Sequence, residues 1–305
     1  MKTKALGACL LLTAAAIASE PQVGQRTFPT PKAAADALVA AAERFDVPAL
    51  LEILGPGGKE LVGSDDPASD RNMAAEFAKQ AKVKLVATPD PKNPSRATIV
   101  VGDEDWPLPI PLVKGTAGWR FDTAAGKKEI LLRRIGRNEL DAIELCHGYV
   151  EAQEEYASEP RGHATTVQYA QRVIGTADKQ DGLAWRDADG TWRGPVGEKI
   201  ARAIAEGYAS KAEPYHGYYF KILKAQGPSA PLGAQDFVVD GMMIGGFALV
   251  ASPAEYEVSG IKSFIVSHDG VVYEKDLGPE TLKTFQSMEL FDPDPSWHPV
   301  PVASD

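Results

Sequence analysis

The sequence predicts an α+β protein: N-terminal helices on a curved antiparallel sheet, then a long connecting helix, then a C-terminal antiparallel sheet with helices. Three observations support this prediction. Helix-like segments precede strand-like segments in the first half of the chain, an order typical of α+β domains. An apolar stripe at helical spacing runs through residues 126–157. Short apolar runs separated by Gly, Pro and Asp turns fill most of the remainder, as expected for strands.

Residues 1–18 have the features of a signal peptide. Lys2 and Lys4 form a basic start, an apolar run extends from Ala5 to Ala18, and small residues precede a cleavage site near Ala18. Cys9 lies inside the apolar run, whereas a lipoprotein signal places its cysteine after that run. We therefore expect a periplasmic or secreted protein with no integral membrane segment after cleavage.

Charge and cysteine content narrow the classes of partner. The formal net charge is −10 at pH 7, which disfavours nucleic acid and anionic membranes as partners. Only Cys146 follows the signal peptide, which excludes an internal disulfide and a multi-cysteine metal site in the mature chain. The sequence predicts no cofactor and no metal, and it leaves an envelope protein or a small ligand as the partner.

The first half predicts a leader over residues 19–31 and an α+β domain over residues 32–125. Thr30 is a suitable cap and Pro31 a suitable first residue for the first helix. Further helices are predicted over Val47–Leu54 and Asp70–Lys82. The prolines of the third segment favour an edge strand or an extended segment over a central strand. The predicted strands are Val83–Ala87, Arg96–Gly102, Trp106–Val113 and Gly118–Asp122.

A long amphipathic helix is predicted over residues 126–157, within a segment at 126–159 that connects two domains. Its apolar stripe has spacings of three, four and seven residues. The stripe consists of Ile135, Ala142, Cys146, Tyr149, Gln153 and Tyr156.

The second domain, residues 160–305, is predicted to combine helices with an antiparallel sheet. Helices are expected over Thr165–Ile174 and Val196–Tyr208. Asp269-Gly270 is a strong hairpin signal between the last two strands, and the tail after them is expected to be extended. The predicted strands are Gly217–Ala225, Phe237–Val239, Met242–Ala251, Ile261–Ser267 and Val271–Lys275.

Several long phrases resemble a known family. They are WPLPIPLV, GWRFDTAAGKKEILLRRIGRNELDAI, PYHGYYFKIL and the run from GGFALVASPAEY to VVYEKDLG. From about Thr30 to Trp297 the chain resembles the exported bacterial proteins catalogued as domain of unknown function 2950, a family that implies no activity. In element order, residues 30–122 resemble the nuclear-transport-factor-2-like fold, and the C-terminal strands resemble the heads of type II pseudopilins. The signal peptide is not of the prepilin kind, so this likeness does not imply filament assembly.

The motif RRIGRNE is the main candidate site. Spacings of three and four residues place its side chains on shared helix faces, where two guanidinium groups could bind a carboxylate or phosphate. The same side chains could instead pair with acidic residues such as Asp141 in a network between the domains. This candidate ligand-binding or inter-domain network comprises Arg133, Arg134, Arg137, Asn138 and Glu139.

Three further residues complete the candidate set. Asp181 and Trp185 lie in a Gly- and Asp-rich stretch, and His216 lies among tyrosines. The aspartates of that stretch, Asp178, Asp181, Asp187 and Asp189, lack the full calcium-loop pattern, so a turn is predicted there. Adjacent helical residues point about 100° apart, which argues against a catalytic pair of Cys146 with its neighbour His147.

No motif of a known enzyme class is present, and we therefore expect an exported, non-catalytic envelope accessory or binding protein. The first alternative is a hydrolase or ligand-processing enzyme that uses the concave N-terminal domain together with Arg134, Arg137 and Glu139. The second alternative is a pseudopilin-like assembly component.

Overall fold

The computed structural model describes residues 24–301 except 65, 163, 177–178 and 197–213. It confirms the α+β class, with helices and antiparallel sheets. The chain divides into two compact units, one ending at Ile130 and one beginning at Leu131. The predicted signal peptide lies outside the described residues, and so does the predicted helix over 196–208 beyond its first residue.

The three predicted helices of the first unit are present, and each begins at its predicted first residue or just before it. Helix α1 is Pro31–Glu43, and the Thr30 side chain accepts a hydrogen bond from the backbone of Ala33. Helix α2 is Val47–Leu54, and the one-turn α3, Lys59–Val62, follows a 3₁₀ turn at Pro56–Gly58. Helix α4 is Pro67–Val83; it starts three residues before the predicted Asp70 because Asp66 caps it.

The first unit also contains a five-stranded antiparallel sheet in the order β1-β2-β4-β5, with β3 paired to β2. Over Trp106–Val113 the chain combines the edge strand and the extended segment that its prolines favour. Prolines at 107, 109 and 111 remove backbone donors, so β3 has only two residues. The Leu108 amide still donates to the Ile99 carbonyl of β2, and a regular strand resumes at β4. The strands are β1 Leu85–Asp90, β2 Asn93–Val101, β3 Trp106–Pro107, β4 Leu112–Gly115 and β5 Gly118–Phe121.

The end of the predicted leader belongs to the core of the first unit. Phe28 is buried and exchanges two backbone hydrogen bonds with Trp119. Gly118 has φ 121°, and a Cβ there would lie 2.6 Å from the carbonyl oxygen of Phe28, so only glycine fits. The Gln25 side chain donates to the carbonyl oxygens of Ile53, Leu54 and Phe121.

Helix α5 is Thr123–Tyr156, three residues longer at its start than predicted, and the division between the units falls within it. Every residue of the predicted stripe is buried, which confirms the amphipathic pattern. From Ala142 onward the stripe belongs to the main hydrophobic core of the second unit.

The second unit has a five-stranded antiparallel sheet in the order β17-β15-β14-β13-β8. The predicted hairpin is confirmed: Gly270 has φ 75°, and the Asp269 carboxylate accepts from the backbone of Val271 and the hydroxyl of Ser267. The strands of this sheet are β8 Tyr218–Leu223, β13 Ala248–Pro253, β14 Lys262–Ser267, β15 Val272–Asp276 and β17 His298–Pro299.

Smaller pairings complete the second unit. Strands β9, β10 and β16 form one sheet, and β6–β7 and β11–β12 form two hairpins. A short helix, α6 Thr281–Ser287, was not predicted. The small strands are β6 Trp185–Arg186, β7 Trp192–Arg193, β9 Ala225–Gln226, β10 Gln235–Asp236, β11 Val238–Val239, β12 Met242–Met243 and β16 Leu290–Phe291.

The helix predicted over Thr165–Ile174 is wrong. Described residues of this segment form bends and isolated bridges, with their backbone groups bonded to distant elements. The buried side chain of Gln153 accepts from the Ala170 amide and donates to its carbonyl, both at 2.8 Å. Tertiary partners thus replace the bonds of a helix.

No helix within the described part of the chain combines the length and the apolar character needed to cross a bilayer.

Candidate functional site

The first unit contains a cavity of about 680 Å³ with mostly apolar walls. This volume falls within the range of small-molecule sites in proteins, about 300–1,000 Å³. One wall is a face of α4 that presents Met73, Ala74 and Phe77. Their spacing of three and four residues places them side by side on the helix.

Helices α1 and α2 and the sheet supply the remaining walls. Leu38, Leu50 and Leu54 line the cavity from the helices, and Leu108 and Ile110 line it from the segment after β3. Helix α1 packs on α4. Both helices are rich in alanine, and Ala42 of α1 and Ala74 of α4 line the cavity. The alanines buried there are Ala34, Ala35, Ala41, Ala42, Ala78 and Ala81.

Phe45 lines the cavity from a strained backbone position. It has φ 48°, the left-handed region that usually takes glycine at the end of a helix. Its amide donates to the Ala42 carbonyl and the next amide, of Asp46, donates to the Ala41 carbonyl, which ends α1 in a Schellman motif. A bulky residue here costs about 1–2 kcal/mol. Such strain at a cavity wall points to a use for the side chain.

The polar part of the described cavity wall is acidic. Four of its residues are carboxylates, Asp70, Glu76, Asp103 and Glu104, and none is Lys, Arg or His. Asp70 is buried and accepts from the Ser64 amide at 2.7 Å and from its hydroxyl at 2.9 Å. A hydrogen bond from Gln80 and the neighbouring Lys79 hold the pKa of the Glu76 carboxyl below its usual value, so it is ionised at neutral pH.

The polar side chains of the RRIGRNE motif divide into different roles. Glu139 accepts from the amides of Ile261 and Lys262 at 2.9 and 3.0 Å through one carboxylate oxygen. Asn138 donates to the carbonyl of Ser259 at 2.8 Å. Arg134 is exposed and donates to the carbonyl of Val258 at 3.2 Å.

These three side chains therefore hold the loop before β14 against α5. All of these bonds lie within the second unit. A Cβ at Gly217 would lie 2.7 Å from the Asn138 side-chain nitrogen, so the chain approaches closely there. Arg137 is exposed, with no side-chain hydrogen bond or ion pair to another described residue, whereas Arg133 is partly buried and has an interaction.

His216 forms a pair that the sequence did not reveal. Its Nδ1 lies 2.6 Å from an Asp141 carboxylate oxygen, and its ring stacks on Tyr215 with centroids 4.2 Å apart. His216 has φ 45°, an uncommon backbone conformation for a residue other than glycine. The pair lines a second cavity of about 500 Å³, to which Glu144 and His147 also contribute.

Asp181 and Trp185 take part in neither cavity and instead stabilise their own segment. Asp181 accepts from the amide and the hydroxyl of Thr176. Trp185 is buried in the core, and its indole donates to Asp187 at 3.2 Å. The predicted turn is confirmed: Gly190 has φ 82°, and its amide donates to the Asp187 carbonyl. Asp178, also named in that prediction, lies outside the described residues.

Cys146 is fully buried, and burial raises the pKa of its thiol from 9.0 to about 12. Because the thiolate is the nucleophile, this cysteine is chemically inert in the folded protein. Across the described ranges, no three His, Cys, Asp or Glu side chains are grouped closely enough to hold a metal ion.

Sequence reasoning missed the N-terminal cavity and the partner of His216. The one signal for the cavity was an apolar pair on α4, Met73 and Phe77, which lies apart from the buried alanines Ala78 and Ala81 of the same helix. No sequence signal pairs Asp141 with His216, because 75 residues separate them.

No curated protein matches the chain, and no solved structure matches it. The family described as "Protein of unknown function (DUF2950)" matches residues 25–300, nearly the whole of the described chain. The chain thus belongs to this family, as its phrases from WPLPIPLV to VVYEKDLG predicted.

Proposed function

We propose that the protein is an exported, non-catalytic binding protein whose N-terminal unit holds an apolar small molecule. The observation that carries this proposal is the cavity of about 680 Å³ between α1, α2, α4 and the segment after β3. Most of its wall consists of apolar side chains such as leucine, isoleucine, phenylalanine and alanine. Burying a hydrocarbon against them contributes about 25 cal/mol per Å² of apolar surface removed from water.

Two features support binding rather than imperfect packing. Phe45 keeps an aromatic side chain where the backbone favours glycine, and that side chain faces the cavity. Met73 and Trp106 line the same cavity and are 62% and 48% exposed. Large apolar side chains left in water beside an apolar cavity are typical of a ligand-binding groove.

Export rests on the predicted signal peptide. We expect the mature chain to begin near residue 19 and to fractionate with the periplasm or the medium. N-terminal sequencing of the protein from its own cells tests this expectation.

The binding proposal is tested with a neutral fluorescent probe, N-phenyl-1-naphthylamine, which brightens in apolar sites. We expect saturable binding of one probe per chain. Ala74→Trp places an indole in the cavity and should abolish binding. Ala75→Trp, an exposed residue next to it on α4, is the matched control and should bind as the parent does. Equal binding by both variants would show that the probe sits elsewhere.

One observation favours an enzyme as the second candidate. The Asp141–His216 pair has the geometry of a histidine oriented by a carboxylate, and it lines the second cavity. The enzyme alternative drawn from the sequence uses Arg134, Arg137 and Glu139 as its polar groups, but Arg134 and Glu139 already bond the backbone near β14. A hydrolase screen in which turnover is lost with His216→Ala and retained with His147→Ala would support the enzyme.

The likenesses to the nuclear-transport-factor-2-like fold and to pseudopilin heads stay predictions. The packing of α5 against the C-terminal sheet favours the latter: Tyr149 donates to the carbonyl of Ala248 in β13. A strictly monomeric protein with no partner in a pull-down from envelope extract would count against an assembly role.

A further inference from the structure

We propose that the N-terminal cavity selects an amphiphile with a positively charged head, because its charged wall residues are all carboxylates and its apolar walls suit a hydrocarbon tail. This inference rests on the proposed binding function and adds the chemical class of the ligand. Its evidence is the distribution of charge around the cavity.

Two of the carboxylates lie in the turn between β2 and β3. Asp103 and Glu104 are exposed, and neither side chain has a hydrogen bond or an ion pair to another described residue. Trp106 follows directly, half-exposed and lining the same cavity. An indole face next to carboxylates is the combination that binds ammonium groups, through cation–π attraction and charge.

The structure also brings α4 to this turn. A Cβ on Gly102 would lie 3.0 Å from the Gln80 side-chain oxygen, so Gln80 packs directly against the turn. Gln80 in turn donates to Glu76 at 2.9 Å. Glu76 of α4 and the carboxylates of the turn therefore belong to the same side of the cavity.

Basic side chains close to these carboxylates in sequence already have partners. Lys79 pairs with Glu76 at 3.2 Å, Lys84 pairs with Asp105, and the Arg71 guanidinium lies over the Phe45 ring of the cavity wall. None of these three cations pairs with Asp103 or Glu104, and Asp70 accepts hydrogen bonds from Ser64. Asp103 and Glu104 thus give this edge of the cavity a negative charge that an anionic head would meet unfavourably and a cationic head favourably.

The test compares three ligands with the same tail on the mature protein by isothermal titration calorimetry: decyltrimethylammonium, decanol and decyl sulfate. In low salt we expect the cation to bind about five-fold more tightly than the alcohol, and the sulfate to bind most weakly. Salt should reduce the preference for the cation and leave decanol binding unchanged, because only the charged contact is screened.

The double variant Asp103→Asn with Glu104→Gln should bring cation binding down to the level of decanol. Its matched control, Glu154→Gln with Asp240→Asn, changes the charge of the chain equally at exposed residues of the second unit. That control should keep the preference. Unchanged decanol binding reports that the cavity of each variant is folded.

Two negative results have different meanings. If all three ligands bind with equal affinity, or the sulfate binds best, the charge selection is wrong and the apolar binding function stands. If none of the three binds, the proposed binding function fails and the selection fails with it. A preference for the cation that survives the double variant would also overturn the role assigned to Asp103 and Glu104.

Discussion

The guanidinium of Arg71 lies 5.6 Å from the centre of the Phe45 ring. Arg71 belongs to α4, and Phe45 lies in the Schellman motif that follows α1. Phe45 also lines the N-terminal cavity. A cation–π contact at an exposed site contributes about 0.5–1 kcal/mol, less than the strain of a left-handed phenylalanine. The contact alone therefore does not account for Phe45, whereas a bound ligand that packs on the ring would add the missing stabilisation.

The backbone strain at Phe45 makes a prediction about stability. Phe45→Gly and Phe45→Ala both remove the ring, but only glycine relieves the left-handed conformation. We expect the glycine variant to exceed the alanine variant by about 1 kcal/mol in free energy of unfolding. At a regular helical position the order is reversed: Ala37→Gly in α1 should lower the free energy of unfolding by about 1 kcal/mol. Urea unfolding followed by circular dichroism measures both differences. An alanine variant as stable as the glycine variant would show that position 45 is unstrained.

Within the described residues, the contacts of α5 distinguish Glu139, which bonds the backbone before β14, from Arg137, whose side chain has no such bond. Glu139→Ala leaves two backbone amides before β14 without an acceptor, and we expect a loss of about 2 kcal/mol of unfolding free energy. Arg137→Ala should change it by less than about 0.5 kcal/mol. Hydrogen exchange at the amides of Ile261 and Lys262 should accelerate only in the Glu139 variant. A larger loss from Arg137→Ala would reverse this assignment.

The buried thiol of Cys146 predicts a dependence of stability on pH. Its pKa is raised from 9.0 to about 12 in the folded chain, so the folded state keeps the proton when the unfolded state has lost it. Below pH 9 the thiol contributes its full share to the free energy of unfolding. As the pH rises from 9 towards 12, the free energy of unfolding falls by about 1.4 kcal/mol per pH unit.

Denaturant unfolding of the parent and of Cys146→Ala across this range tests the dependence, since the alanine variant lacks the group. The thiol should also resist iodoacetamide at pH 8 until the chain is unfolded. Rapid alkylation of the folded protein, or identical pH slopes for the two proteins, would contradict the burial of this side chain.

The features that sequence predicted best are those set by local spacing. The α5 stripe from Ile135 to Tyr156 and the Asp269-Gly270 hairpin depend on residues close in the chain. The predicted helix over Thr165–Ile174 does not form. There the side chain of Gln153, distant in sequence, hydrogen-bonds the backbone amide and carbonyl of Ala170. A tertiary partner can override local preference in this way.

The candidate sites show the same limit. Glu139 was identified as a polar group, but its partners are over 120 residues away, so its use could not be predicted. The cavity is lined by residues of α1, α2, α4 and the segment after β3, so no single motif encodes it. Asp103 and Glu104 are unremarkable turn residues until the fold places them beside Trp106.

The central claim is that an apolar tail lies in the N-terminal cavity, and nuclear Overhauser contacts between decanol and the labelled protein test it most directly. We predict contacts from the decyl chain to the Phe77 ring and the Ile110 methyl groups, which line the cavity on two sides. These contacts should be lost in Ala74→Trp and retained in Ala75→Trp. Contacts confined to residues of the second unit, or no contacts at saturating decanol, would contradict the account.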